Sequence, residues 1–159
     1  MGISIFQPHA VGFTNPEVMR ASAALPAANA WDADPEVVAC AGAWWMRFFI
    51  TYEREGDSGS MDYYYQISPF ATDALAPNEV WFNGSLYAAG DLTPCDWAHS
   101  NVQQEYITYC ASSGNAETFI SPPIHLAGCI ERVRIFCRQT PGVGAPGTAE
   151  VIGYFYVAG

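Results

Sequence analysis

The sequence predicts an all-β chain: a single antiparallel β-sandwich, jelly-roll-like, with an extended N-terminal arm. Three observations carry that expectation. Apolar residues alternate with period two over several stretches, clusters of Gly, Pro, Asn, Asp and Ser separate those stretches, and only a short run near Met19 has helical periodicity. Short strands with turns between them make sandwiches or barrels rather than βαβ units. The 159 residues, half of them hydrophobic, suit one ordinary domain that buries roughly 70 % of its unfolded surface.

Residues 1–40 form the predicted arm. Pro8, Pro16, Pro26 and Pro35 forbid a long helix, because proline lacks the backbone donor and its ring clashes with the preceding turn. The run Pro16–Ala24 has room for two helical turns at most. The segment reads as extended chain or edge strands, packed on its own domain or on a neighbour.

The sandwich is expected over residues 41–159. In Trp44–Glu53 the even positions are Trp44, Met46, Phe48, Ile50 and Tyr52, a wholly apolar face. The odd positions, Trp45, Arg47, Phe49, Thr51 and Glu53, make a mixed one. A Gly- and Ser-rich turn, Arg54–Ser60, leads to Met61–Ser68, and the two runs are predicted to pair as a hairpin. Further strands are expected at Val80–Leu86, Gln103–Cys110, Thr118–Ile120 with His125–Ala127, Arg132–Arg138 and Ala149–Val157. Within Asn101–Gly114, Val102, Glu105, Tyr106 and Tyr109 also fit helical spacing, but β-branched Ile107 and Thr108 favour a strand.

Charge narrows the function. Sixteen acidic residues, six Arg and no Lys give a net charge of −10. Nucleic-acid affinity rests on cations neutralising phosphates, so a nucleic-acid partner is not expected, nor is an anionic membrane. Charged residues are only 14 % of the chain, against about 25 % in an average domain. Such a surface suits being covered by neighbours. Arginine without lysine fits cations held in fixed, forked hydrogen bonds, although a biased genome composition accounts for it equally.

Cys40, Cys95, Cys110, Cys129 and Cys137 are odd in number and irregularly spaced. Met1–Phe6 lacks the basic start of a secretory signal, so synthesis in a cytoplasm and buried, reduced thiols are expected. A Cys129–Cys137 disulfide is the alternative for a chain matured outside the cell. No stretch approaches the roughly 20 apolar residues of a membrane helix.

Catalytic and metal signatures are weak. Cys95 and His99 form one C-x3-H pair without a recognisable second pair, short of a zinc site. No G-x-S-x-G occurs, and His9, His99 and His125 have no local triad context. The glycines at Gly142, Gly144 and Gly147 lack the lysine and helix of a phosphate loop. Asp32/Asp34/Glu36 and Glu53/Glu55/Asp57 are local clusters, read as solvated loop charge or a weak calcium loop rather than opposed catalytic carboxyls. The expectation is a non-enzyme with no cofactor, no metal and no small-molecule substrate.

The aromatic residues are the most informative. Trp44, Trp45, Phe48, Phe49, Tyr52, Tyr63, Tyr64 and Tyr65 put rings on both faces of two strands. A sandwich buries only one face of each sheet, so Trp45, Phe49 and Tyr64 need other cover. That cover is the arm or a long loop, a subunit interface rich in Tyr, Trp and Arg, or a sugar stacked on the rings. Ile3, Ile5, Phe6 and Phe13 are the arm residues expected to anchor to a neighbour.

The run Ala41–Phe70 resembles a hairpin of β-sandwich proteins from tailed-phage virions. Thr51, Tyr52 and Arg54, then Gly56 and Gly59, then Ser68 and Pro69 stand at the places of that pattern, with Ser58 and Ser60 where such turns are often glycine. Leu25–Asp32 and Arg132–Val151 fit the same likeness. The resemblance implies a virion structural protein, a capsid cement or decoration protein, often a homotrimer, whose partners are itself and a major capsid or other virion protein. A carbohydrate- or receptor-binding module of a phage fibre or tail is the alternative.

Overall fold

A computed structural model describes residues 11–13, 16–26, 30–55, 59–75, 81–83, 106–111, 114–140 and 145–158. Eleven strands are found among them: β1 (Val11–Phe13), β2 (Glu17–Ala24), β3 (Val38–Ala39), β4 (Ala43–Glu53), β5 (Ser60–Ser68), β6 (Phe82–Asn83), β7 (Ile107–Cys110), β8 (Glu117–Ile120), β9 (Ile124–His125), β10 (Arg132–Gln139) and β11 (Thr148–Ala158). One turn of 3-10 helix spans Asp73–Leu75. The strands form two antiparallel sheets packed face to face. One is six-stranded, with β1 and β2 together on one side of β11, then β4, then β8 and β9; the other is five-stranded, with β3, β10 and β5 followed by β6 and β7.

The expected sandwich is therefore present, and its core follows the alternation in the sequence. Met46, Phe48, Ile50 and Tyr52 of β4 are fully buried, as are Ala149, Val151 and Phe155 of β11; across from them lie Met61, Tyr63, Tyr65 and Ile67 of β5 with Val133, Ile135 and Cys137 of β10. The rings of Phe48 and Tyr65 meet edge to face across the core at 5.5 Å.

The predicted hairpin does not form. β4 pairs with β11, β8 and β9, whereas β5 pairs with β10, β6 and β7. As a hairpin, the two apolar faces would lie side by side in one sheet and both need an opposing sheet to cover them. By crossing between sheets they face and cover each other. The turn residue Gly59 is pressed against Arg54 and the Tyr52 hydroxyl, where no side chain would fit.

Glu17–Ala24 is a strand, not helical turns. Met19 points into the core, while Val18 before it is exposed and Arg20 after it turns to Asp32. The described part of the N-terminal 40 residues thus belongs to the sandwich: β1 and β2 extend the six-stranded sheet and β3 extends the other. The described residues between β2 and β3, 25–26 and 30–37, strap the open side of the sandwich along β10. The Asp32 N–H donates to the Cys137 carbonyl (3.1 Å), the Cys137 N–H donates to Asp32 Oδ2 (3.0 Å), and Arg20 Nε donates to Asp32 Oδ2 at 3.0 Å. Asp32 is not the solvated loop charge its cluster suggested. It ties the two sheets together. On the opposite side Tyr109 of β7 stacks on Phe119 of β8 at 3.7 Å, and its hydroxyl donates to Glu117 at 3.0 Å.

The four described cysteines are free thiols: Cys40 and Cys137 are buried, Cys110 and Cys129 exposed. The Cys129–Cys137 alternative fails because Cys137 points into the core from β10 while Cys129 sits in the turn before it. Burial pushes the Cys40 thiol up to about 12 and raises Cys137 as well.

Candidate interaction surface

The two outer faces of the sandwich differ in what covers them. On the five-stranded sheet, Tyr64 is only 3 % exposed. Trp31, from the strap, meets its ring edge-on at 4.7 Å, and Phe136 stacks on it at 4.6 Å. Arg138 lies over Trp31 (4.2 Å) and Tyr106 (4.8 Å), while Arg134 and Arg132 lie over Trp81 at 4.2 and 4.9 Å. Tyr64 is thus covered within the chain itself, by Trp31 of the arm segment and by Phe136. The sequence showed that the ring needed a lid but not that Trp31, far back in the chain, is the lid.

The same face engages its arginines internally. Arg138 Nε donates to Asp62 at 2.9 Å, Arg134 donates twice to Gln66 (2.9 and 2.6 Å), and Arg132 pairs with Asp73 at 2.8 Å. These arginines act as flat plates between aromatic rings and as forked donors, the role that guanidinium performs and ammonium does not.

The six-stranded sheet is different. The outward residues of β4 alternate with its core residues and lie in register with β11 on one side and β8 or β9 on the other. Phe49 stands opposite Ile152 and Ile120, and Ile152 stands opposite Val18. These four make an apolar row across four strands. Toward one end of the strands lie Arg47 and Tyr154, then Trp45 with Tyr156 and His125; toward the other lie Thr51 with Glu150 and Thr118, then Glu53 with Thr148. Phe49 rests against the Tyr154 ring at 4.5 Å, and Trp45 stacks on His125 at 4.4 Å. Val18 is 51 % exposed, Ile120 50 % and Trp45 43 %. A shallow cleft of about 200 Å³ opens between Trp45, Arg47, Pro123 and Tyr156.

Trp44 departs from its expected inward place and is 46 % exposed. The register slips here: Tyr156 pairs with Trp45 but Val157 pairs with Ala43. This bulge turns the small Ala43 into the core and sends both tryptophans outward. The Trp44 carbonyl accepts from the Leu126 N–H at 2.7 Å. The turn that delivers this donor needs positive φ at Ala127 (53°) and Gly128 (69°), and Gly128 lies under the Trp44 ring.

Of the predicted interface residues, Trp45 and Phe49 lie together on this open face. Phe13 belongs to β1, whose backbone pairs with β11 opposite Tyr156. Ile3, Ile5 and Phe6 lie outside the described residues, as do Cys95 and His99. Sequence reasoning missed Arg47, Tyr154, Tyr156, Ile120 and Ile152. Their alternation was legible, but only the strand register shows that they share a face with Trp45 and Phe49. Among the described residues, no group of three or more His, Cys, Asp or Glu side chains is placed to hold a metal ion, and no helix is long and apolar enough to cross a membrane. Comparison with protein families, with characterised proteins and with solved structures found no match to this chain.

Proposed function

We propose that this chain is a non-enzymatic structural protein that works by packing the outer face of its six-stranded sheet against other subunits of an assembly. The observation that carries the reading is the contrast between the two outer faces. One is covered by the chain's own residues. Among the described residues, the other presents a four-strand stripe at its surface, with Val18 and Ile120 half exposed, Ile152 and Phe49 partly buried between them, and Trp45 and Tyr156 alongside. Aromatic and aliphatic anchors in a low-charge surround are the composition of subunit interfaces. On the resemblance of Ala41–Phe70 we read the assembly as a tailed-phage virion. The chain would then be a cement or decoration protein, held by further copies of itself and by a major shell protein, with many modest contacts summing to firm attachment.

Phe49→Glu tests the reading. It should abolish binding to capsid shells that lack the protein while leaving the unfolding midpoint near that of the wild type; undiminished binding would overturn it. A second reading is favoured by the Trp45–Arg47–Pro123–Tyr156 cleft, whose rings suit stacking against a sugar. In that case titrated saccharides quench tryptophan fluorescence and Phe49→Glu leaves the quench largely intact.

A further inference from the structure

Five of the six arginines are engaged inside the molecule: Arg20 with Asp32, Arg54 with the Ala111 carbonyl, Arg132 with Asp73, Arg134 with Gln66 and Arg138 with Asp62. Arg47 is the exception: among the described residues it has no hydrogen-bond or ion-pair partner. The same holds for Glu150, on the same outer face. The two cannot satisfy each other. Arg47 stands opposite Tyr154, four residues along β11 from Glu150, which is about 14 Å at strand spacing.

We propose that the occupant of this face is a second copy of the same chain, stacked face to face about a two-fold axis that runs across the strands through the apolar row. Two facing sheets are related by an axis lying in the plane between them, and charge selects its direction. An axis along the strands would bring the two Arg47 rows together. An axis across the strands lays the Val18–Ile152–Phe49–Ile120 row on its own counterpart. It then carries Arg47 of each copy to the Thr51–Glu150 row of the other, and the Trp45–Tyr156 row to Glu53. Such an interface is isologous, so the Arg47–Glu150 match is made twice, once in each direction.

The size of the face sets the strength. From Trp45 to Glu53 along β4 is about 27 Å, and four strands span roughly 19 Å. That is about 500 Å² per copy and roughly 1,000 Å² for the pair, the lower limit of specific interfaces. The pair is accordingly weak and reversible in solution and gains strength where an assembly supplies further contacts. The inference rests on the packing reading above and makes the pair two-fold rather than the three-fold ring that the likeness implies.

The test is the mass of the full chain by light scattering or sedimentation over a wide concentration range. Wild-type protein should pass from monomer to dimer. Arg47→Glu and Glu150→Arg should each weaken the dimer by at least about tenfold, and the double variant should recover most of that loss. A wild-type chain that stays monomeric at the highest concentration, or a double variant no tighter than the singles, would overturn the pairing. Phe49→Glu separates this from the wider proposal. If the wild type is monomeric yet Phe49→Glu still loses shell binding, the two-fold pair falls and the packing face stands. If Phe49→Glu changes neither mass nor shell binding, both fall. Should Phe49→Glu not fold, Val18→Glu, half exposed on an edge strand, takes its place.

Discussion

Asp62 and Arg138 meet at 2.9 Å between β5 and β10 on a carboxylate that solvent does not reach. The Thr108 and Thr140 hydroxyls donate to its other oxygen at 2.8 and 2.7 Å. Each residue comes from a different strand or loop, so one buried anion gathers β5, β7 and β10. Asp62→Ala leaves a cation and two hydroxyls without their acceptor. It should cost about 3–5 kcal/mol in urea unfolding, and Asp62→Asn, which keeps an acceptor for the hydroxyls, should cost less.

Trp31 is the lid on that face, touching Tyr64, Tyr106 and Arg138. It is half-buried, so Trp31→Ala should cost less than a fully buried ring, about 2 kcal/mol. The informative readout is local. Limited proteolysis should cut the strap between β2 and β3 sooner than in the wild type, while β4 and β11 stay protected.

Alkaline pH should weaken the fold. Burial raises the thiols of Cys40, to about 12, and of Cys137, and the phenol of Tyr63 to about 12. Between the unfolded values of 9.0 for cysteine and 10.0 for tyrosine and those folded values, the unfolded chain gives up protons that the native chain keeps. Stability is therefore intact below pH 9 and falls as pH rises above it, by about 1.4 kcal/mol per pH unit for each group. Urea midpoints measured through this window should fall less steeply in a Cys40→Ala, Cys137→Ala double variant than in the wild type. In native protein below pH 9, alkylation followed by peptide mapping should mark Cys110 and Cys129 and spare Cys40 and Cys137.

Gly147 is the tightest point where the chain enters β11. A Cβ there would overlap the Glu53 carbonyl and the Tyr52 ring. Its N–H also donates to Gln139 Oε1 at 3.1 Å, and its carbonyl accepts from Leu25 at 2.8 Å. Gly147→Ala should destabilise by about 1–3 kcal/mol through overpacking, measured by thermal or urea unfolding. Gly114→Ala, with nothing near the added methyl, should leave the midpoint almost unchanged.

How much was legible in the chain depends on the range of the interaction. Alternation is local, and it located the strands around Trp44–Glu53, Met61–Ser68, Arg132–Arg138 and Ala149–Val157 within a residue or two. It failed at Trp44, because a bulge is set by the pairing partner and by the turn at Leu126–Gly128, neither of which leaves a mark in the strand's own pattern. At Glu17–Ala24 the small-residue run near Met19 left only extended chain or edge strand to expect, and β11 supplies the edge that the strand joins.

The candidate face shows the same division. By itself the sequence determined that this is a β-sandwich with more aromatic surface than one core can bury, and that Trp45 and Phe49 lie opposite the core side of β4. Those conclusions need only the two-residue period and the hydrophobic effect. The tertiary structure alone decided that β4 and β5 belong to different sheets, that Trp31 closes over Tyr64, and that Arg47 and Glu150 share one face with no partner among the described residues. Each of these is a contact between residues far apart in the chain. Such contacts are settled by which apolar faces can cover each other at the least cost in buried charge, a condition that only the assembled sheets can meet.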